Sequence, residues 1–267
     1  MSDIERTRKP WRVPLAKVNK EHGPWVYRYL VLKFARVIIP LVARRHWGGQ
    51  EHIPRDGGLL VVANHISNFD PLVVGEFLIY SGRWGRFLGK SEIWKVPFLG
   101  WIARKCDQIP VYRNTGRARD SLVHARRALE KGKAVVIYPE GTITADPDGW
   151  PMTGRRGAAQ LALQTGVTVV PIAQTGADQI LGRKELEWKK LFGRRRDVHV
   201  QAGPALDLSG YLARVPAEGE LPSALLDEVT DHFLDTLTGM VSELRGEEPP
   251  EGRWDMRVGE RVAKLAR

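Results

Sequence analysis

Cysteine is nearly absent from this chain of 267 residues, with Cys106 the single example. One thiol cannot make an intrachain disulfide or a cysteine-rich zinc site, so the composition suits a reducing compartment. Uninterrupted apolar runs are missing too. The longest candidate, Trp25 to Val42, approaches the length of a membrane span but is broken by Arg28, Lys33, Arg36 and Pro40, and a transmembrane helix is not expected. The amino-terminal stretch carries Arg6, Arg8, Lys9, Arg12, Lys17 and Lys20 without an apolar core or a small-residue cleavage site, so nothing in it directs export. Internal repeats, a metal-ligand cluster and a nucleic-acid recognition motif are likewise not visible. Acidic residues are in deficit: 31 Asp and Glu against 41 Lys and Arg leave a formal charge of +10. That balance points to anionic partners such as phosphates or acidic lipid headgroups, and without a motif, nucleic acid is not expected among them.

What is present is organised around GGLLVVANHISNFDPLVV, Gly57 to Val74. An apolar run, Leu59 to Ala63, breaks at Asn64-His65, passes a polar turn and meets Asp70-Pro71 before a second apolar segment, a pattern of strand, tight loop and helix. Asp70 followed by Pro71 suits a helix start, since Pro71 lacks an N–H that would be orphaned there and Asp70 can accept from the next free amides. His65 and Asp70 would diverge on one helix, but a loop folding back brings them together. A carboxylate beside an imidazole fixes its tautomer and raises its basicity. With no Ser, Cys or Thr forced to attack, such a pair is suited to taking a proton from a substrate hydroxyl.

Strands alternate with helices through the rest. The spacing predicts helices over 72–80, 115–131, 158–164 and 225–245, and strands over 86–90, 108–112, 134–139, 167–172 and 198–202, with Gly132, Gly166 and Gly246 closing helices. This implies one α/β domain with a mixed, largely parallel sheet flanked by helices. Sites in such sheets form outside the carboxyl ends of the strands, where His65, Arg113 and Glu140 all fall. The aromatics Trp94, Phe98 and Trp101 serve either an acyl-chain groove or an ordinary core. Ahead of the sheet, Tyr27, Leu30, Val31, Phe34, Ile38, Leu41 and Val42 share one helical face and Arg28, Lys33, Arg36 and Arg44 the other, an amphipathic helix kinked at Pro40. Its apolar face either lies in a membrane interface or packs on the domain. The expected division is a basic segment over 1–47, the α/β domain over 48–246, and a linker with a basic tail over 247–267.

Four blocks then carry a resemblance. NHISNFD (64–70), IPVYR (109–113), YPEGT (138–142) and VVPI (169–172) match, in order, the N-H-x-x-x-x-D, second, F-P-E-G-T-R and V-P-V/I blocks of the lysophosphatidic acid acyltransferase family. The resemblance implies transfer of an acyl group, from acyl-CoA or acyl-carrier protein as co-substrate and with no cofactor or metal, to the free hydroxyl of a lysophospholipid. His65 would be the general base and Asp70 its orienter. Arg113 and Glu140, Gly141 and Thr142 would bind the glycerol phosphate end, with Lys90 and Arg156 carried over as further substrate-binding cations. The family's usual Arg after E-G-T is Ile143 here. Peripheral or monotopic attachment to the cytoplasmic face of an anionic membrane is the expected location.

Overall fold

The computed structural model describes residues 13–21, 25, 32–112, 118–183 and 194–263. Seven strands make one sheet: β1 (Ala43–Gly48), β2 (Leu59–Ala63), β3 (Gly85–Lys90), β4 (Ile109–Val111), β5 (Ala134–Ile137), β6 (Thr168–Thr175) and β7 (Arg196–Ala202). Their spatial order is β1-β7-β6-β2-β5-β3-β4. Every neighbouring pair is parallel except β6 with β7, so β7 and β1 run against the rest. The expected mixed, largely parallel sheet is present.

Along β2 the residues LLVVA are all buried, because helices cover both faces of the sheet and each alternate side chain enters a different layer. Leu59, Val61 and Ala63 pack with Val73, Phe77 and Leu78, while Leu60 and Val62 pack with Leu129, Leu161 and Phe233. The first layer is headed by α1 (Leu15–Val18), α2 (Leu32–Val42), α3 (Asp70–Tyr80) and α4 (Pro97–Lys105); the second contains α5 (Ala118–Glu130) and α6 (Gly157–Thr165). Short helices α7 (Asp178–Leu181) and α8 (Ser209–Leu212) precede the long α9 (Ser223–Arg245). Gly246 ends α9 at φ 65°, in the left-handed conformation that glycine adopts without strain.

Both ends of the domain extend beyond the expected boundaries. β1 lies inside the segment expected to precede the sheet, and it pairs with β7 from Ala43 to Gly48. Further upstream, Val13, Leu15 and Val18 pack against Ile79, Tyr80 and Trp84, and Glu21 accepts from the Trp84 amide at 2.9 Å and pairs with Arg86 at 3.4 Å. The helical wheel also needs correction. α2 stops at Val42, so Arg44 belongs to β1, where it pairs with Asp197 at 2.7 Å. Ile39 is fully buried whereas Val37 and Leu41 are exposed. The positions expected at Tyr27, Arg28, Leu30 and Val31 lie outside the described residues.

Where a linker and basic tail are expected, residues after Gly246 form an antiparallel pair, β8 (Arg253–Asp255) with β9 (Glu260–Val262). Buried Arg253 pairs with Asp231 and, at 2.7 Å, with Asp235, both on α9. Arg261 reaches Asp146 at 2.8 Å, and the Thr153 amide donates to the Trp254 carbonyl at 3.0 Å. The hairpin therefore braces the long loop between β5 and α6. Replacing Arg253 by Met is expected to lower stability by about 2–4 kcal/mol in urea unfolding, because two carboxylates lose a buried partner. Arg257→Met, which removes a largely exposed guanidinium from buried Asp255 two positions before it, is expected to lower stability less than the Arg253 replacement.

Candidate active site

β2, β5 and β3 are sheet neighbours with parallel sense, so the loops leaving their carboxyl ends emerge side by side. Asn64 secures the end of β2: its side chain donates to the Gln174 carbonyl at 3.0 Å and accepts the Gln174 amide at 2.8 Å. His65 follows, held by its backbone on both sides. Its N–H donates to Glu140 Oε1 at 2.8 Å and its carbonyl accepts from the Thr144 amide at 2.7 Å.

Asp70 is fully buried at the start of α3. Its Oδ2 accepts from His65 Nδ1 at 2.7 Å, from the Ile66 amide at 2.6 Å and from the Ser67 amide at 2.9 Å. It thus reaches back to amides that precede it and makes no cap to those that follow, the reverse of the expectation from Asp-Pro. With Nδ1–H committed to Asp70, Nε2 carries the lone pair. The Tyr138 ring stacks on the imidazole at 4.1 Å between centroids, which leaves little freedom for rotation.

Two cavities adjoin His65. One, about 390 Å³, is lined by Lys90, Trp94, Tyr138, Thr142 and Ile143 among others. The other, about 260 Å³, is lined by Val111, Leu122, Tyr138, Gly141 and Arg155 among others. Two spaces bordered by one imidazole suit a reaction that joins two substrates. Of the aromatics read from sequence, Trp94 lines the first cavity, Phe98 is exposed, and Trp101 stands edge-on to Trp25 at 6.4 Å.

The candidate residues divide. His65, Asp70, Lys90, Gly141 and Thr142 are brought together, and Arg113 lies outside the described residues. Glu140 is not placed to bind substrate: it is buried, and its second oxygen accepts from the Met152 amide at 3.1 Å, so both oxygens face the protein backbone. Burial pushes its carboxyl up to about 8, against the pull of those two amides. Arg156 is also placed elsewhere, with its guanidinium on Asp227 of α9 at 2.5 and 2.6 Å. Arg155 lines the smaller cavity instead, and Gly141, at φ 73°, passes so close to it that a Cβ there would lie 2.8 Å from its Cδ. One residue of register at the head of α6 decides which Arg faces the cavity, and composition carries no sign of it. Tyr138 and Thr144 were missed for a related reason, their roles being set by a neighbouring loop.

Among the described residues, no three His, Cys, Asp or Glu side chains gather as a metal site. The amides of His65, Ile66 and Ser67 are already engaged, so they are not free to stabilise an oxyanion.

Glu140→Gln is expected to set an amide donor against either the His65 or the Met152 N–H and to cost about 1–3 kcal/mol of stability. The same variant tests the titration. Because the folded carboxyl titrates near 8 and the ordinary one near 4.5, the folded state holds the extra proton between those values; its stabilising contribution is complete below about 4.5 and is lost as pH rises through about 8. Thermal melts across that window should show a falling slope in the wild type that is flatter in Glu140→Gln. Asp70→Asn is expected to retain the fold at a cost of about 1–3 kcal/mol, measured in the same melts, because a buried amide replaces a carboxylate that gathers three donors.

The sequence profile of the family described as Acyltransferase matches residues 44–175. A chloroplastic 1-acyl-sn-glycerol-3-phosphate acyltransferase of Arabidopsis thaliana is 33% identical over 135 residues, covering 50% of this chain and 36% of that protein. A lyso-ornithine lipid O-acyltransferase of Pseudomonas aeruginosa is 31% identical over 159 residues, covering 54% of this chain and 57% of that one. This chain thus spans well under two thirds of the length of these relatives. The crystal structure of the 1-acyl-sn-glycerophosphate acyltransferase PlsC from Thermotoga maritima superposes with a TM-score of 0.60 at 22% identity, over 85% of this chain and 84% of that one, and shares its fold. The profile match spans the elements that carry His65, Asp70 and the Glu140 loop, and over this stretch the chain is similar to the acyltransferase family.

Proposed function

We propose that this protein transfers a fatty acyl group from an acyl thioester, acyl-CoA or acyl-carrier protein, to the free hydroxyl of 1-acylglycerol 3-phosphate, giving phosphatidic acid. The observation that carries the reading is the 2.7 Å contact of His65 Nδ1 with buried Asp70, with two cavities adjoining the same ring. Nε2 removes the proton from the acceptor hydroxyl as its oxygen attacks the thioester carbonyl. Asp70 stabilises the imidazolium that forms. When the tetrahedral intermediate collapses, the C–S bond breaks and the imidazolium returns its proton to the departing sulfur. A thioester is already activated, so no covalent enzyme intermediate is needed.

The acceptor phosphate lies against Arg155 in the smaller cavity, while Lys90 lines the larger one. The backbone amides of Thr142 and Ile143, free of partners among the described residues and bordering the Lys90 cavity, are the donors for the oxyanion. Attachment to the cytoplasmic face of an anionic membrane, peripheral or monotopic, belongs to the same proposal. No helix among the described residues is long and apolar enough to cross a membrane, and exposed Val37 and Leu41 on α2 give an apolar surface for the interface. The domain division becomes 13–262 as one α/β unit with α2 at its membrane side.

Ile143 and the similarity to a lyso-ornithine lipid acyltransferase favour a second reading, in which the acceptor is another lysolipid. Mass spectrometry of products from purified protein, acyl donors and a panel of lysolipids separates the two: phosphatidic acid as the main product supports the first, and its absence beside another diacyl product the second.

His65→Ala is expected to lower kcat about 10²–10⁴-fold with the fold intact, and Asp70→Asn less; stopped-time assays on folded variants check this order. For the acceptor, Arg155→Ala is expected to raise the lysophosphatidate KM while leaving the donor KM unchanged. Arg156→Ala, which removes a surface pair with Asp227, is expected to leave both unchanged. Equal effects of the two substitutions would remove Arg155 from the phosphate site.

A further inference from the structure

On the β4 edge of the sheet, away from the His65 ring, a third cavity of about 690 Å³ opens between α4 and α5. Five cations, Arg86, Arg104, Arg127, Lys131 and Lys133, line it against one carboxylate, Asp107. Two of the five are answered by Glu21, which lies 3.4 Å from Arg86 and 3.5 Å from Lys133. The others are not. Arg104 donates to the Trp94 carbonyl at 3.2 Å, and exposed Arg127 and Lys131, four residues apart at the end of α5, meet no carboxylate among the described residues. Like charges held around one concavity raise its potential and attract a multiply charged anion.

The floor is of another kind. Ile109, Pro110 and Ala128 give it an apolar surface, and the half-exposed Trp94 indole stands at one side. An apolar slot with an indole and a cationic rim matches a nucleotide, whose base stacks on an aromatic ring while its phosphates meet Arg and Lys. Position supplies the link to chemistry. Trp94 and Gln108 border both this cavity and the one that contains His65, so the two spaces are adjacent along α4.

We infer that this pocket binds the adenosine phosphates of a CoA thioester, whose flexible arm then passes Trp94 and presents the acyl carbonyl at His65. The inference rests on the acyl-transfer reading above and selects between its two donors. A cavity of this size accepts a small molecule. A carrier protein displays its acidic groups on a broad folded surface, which does not enter a concavity, whereas a nucleotide bisphosphate does.

The test uses the full chain and the double variant Arg127→Gln/Lys131→Gln, both positions exposed, with thermal melts to establish that the fold is retained. Titration calorimetry with adenosine 3′,5′-bisphosphate is expected to show binding that the double variant weakens about tenfold or more. In steady-state assays the acyl-CoA KM should rise by a similar factor, with kcat and the acceptor KM unchanged. The inference is overturned if the wild type does not bind the bisphosphate, if inorganic phosphate competes as well as the bisphosphate, or if the substitutions raise the KM for acyl-carrier protein alone. Binding of the bisphosphate by a protein that transfers no acyl group supports the pocket and refutes the activity, so the two failures are distinguishable.

Discussion

Two hydrogen bonds accepted by one buried carboxyl group hold the site in register. Parallel β2 and β5 lie side by side, but nothing in strand pairing dictates where their loops go once the ladder ends. Glu140, leaving β5, accepts the amide of His65, leaving β2, and also the amide of Met152 far along its own loop. The Thr144 amide closes the circuit on the His65 carbonyl. The backbone of the base is thus fixed from both sides before Asp70 orients its ring. Burying a carboxyl group is costly, and here the cost is offset because it pairs backbone amides that would otherwise be unpaired, which is why this residue sits within the protein.

Much of this could be read from residue order. β2, α5, β5 and α9 follow apolar period closely, and the His65 to Asp70 contact was implied by a strand, a short loop and an Asp-Pro helix start. β1 escaped because ARRHWG has no apolar alternation. As an edge strand it exposes its charges, and Arg44 and His46 find Asp197 across the ladder. β8 and β9 escaped because their stability comes from ion pairs with α9 and the Asp146 loop and not from apolar pattern. At the site, residue type pointed to a cation near Gly141 but not to which of two adjacent arginines faces the cavity. That choice depends on helix register, and register is settled by Asp227, seventy-one positions away from Arg156.

The excess of positive charge also reads differently in three dimensions. Several arginines serve the interior. Arg83 is almost wholly buried and donates to the carbonyls of Pro54, Gly57 and Gly132, holding together the turns beneath β2 and β5. Arg45 and Glu76 form a pair exposed by only 7% and 2%. Such residues say nothing about partners. The cations that do are fewer and are gathered at the carboxyl ends of the strands and along the β4 edge, where carboxylates are scarce.

The brace from β8 and β9 bears on how the chain matures during synthesis. Asp146, in the loop that holds Glu140, is gripped by Arg261, and the two are 115 positions apart. Domains tend to form from the amino terminus as the chain emerges, so β2, β5 and their loops can assemble well before that arginine has been made. Until then the loop lacks its outer support. A nascent chain halted between α9 and β9 would carry a complete sheet and a loosely held catalytic loop, so the hairpin made after α9 is what converts a folded scaffold into an ordered site.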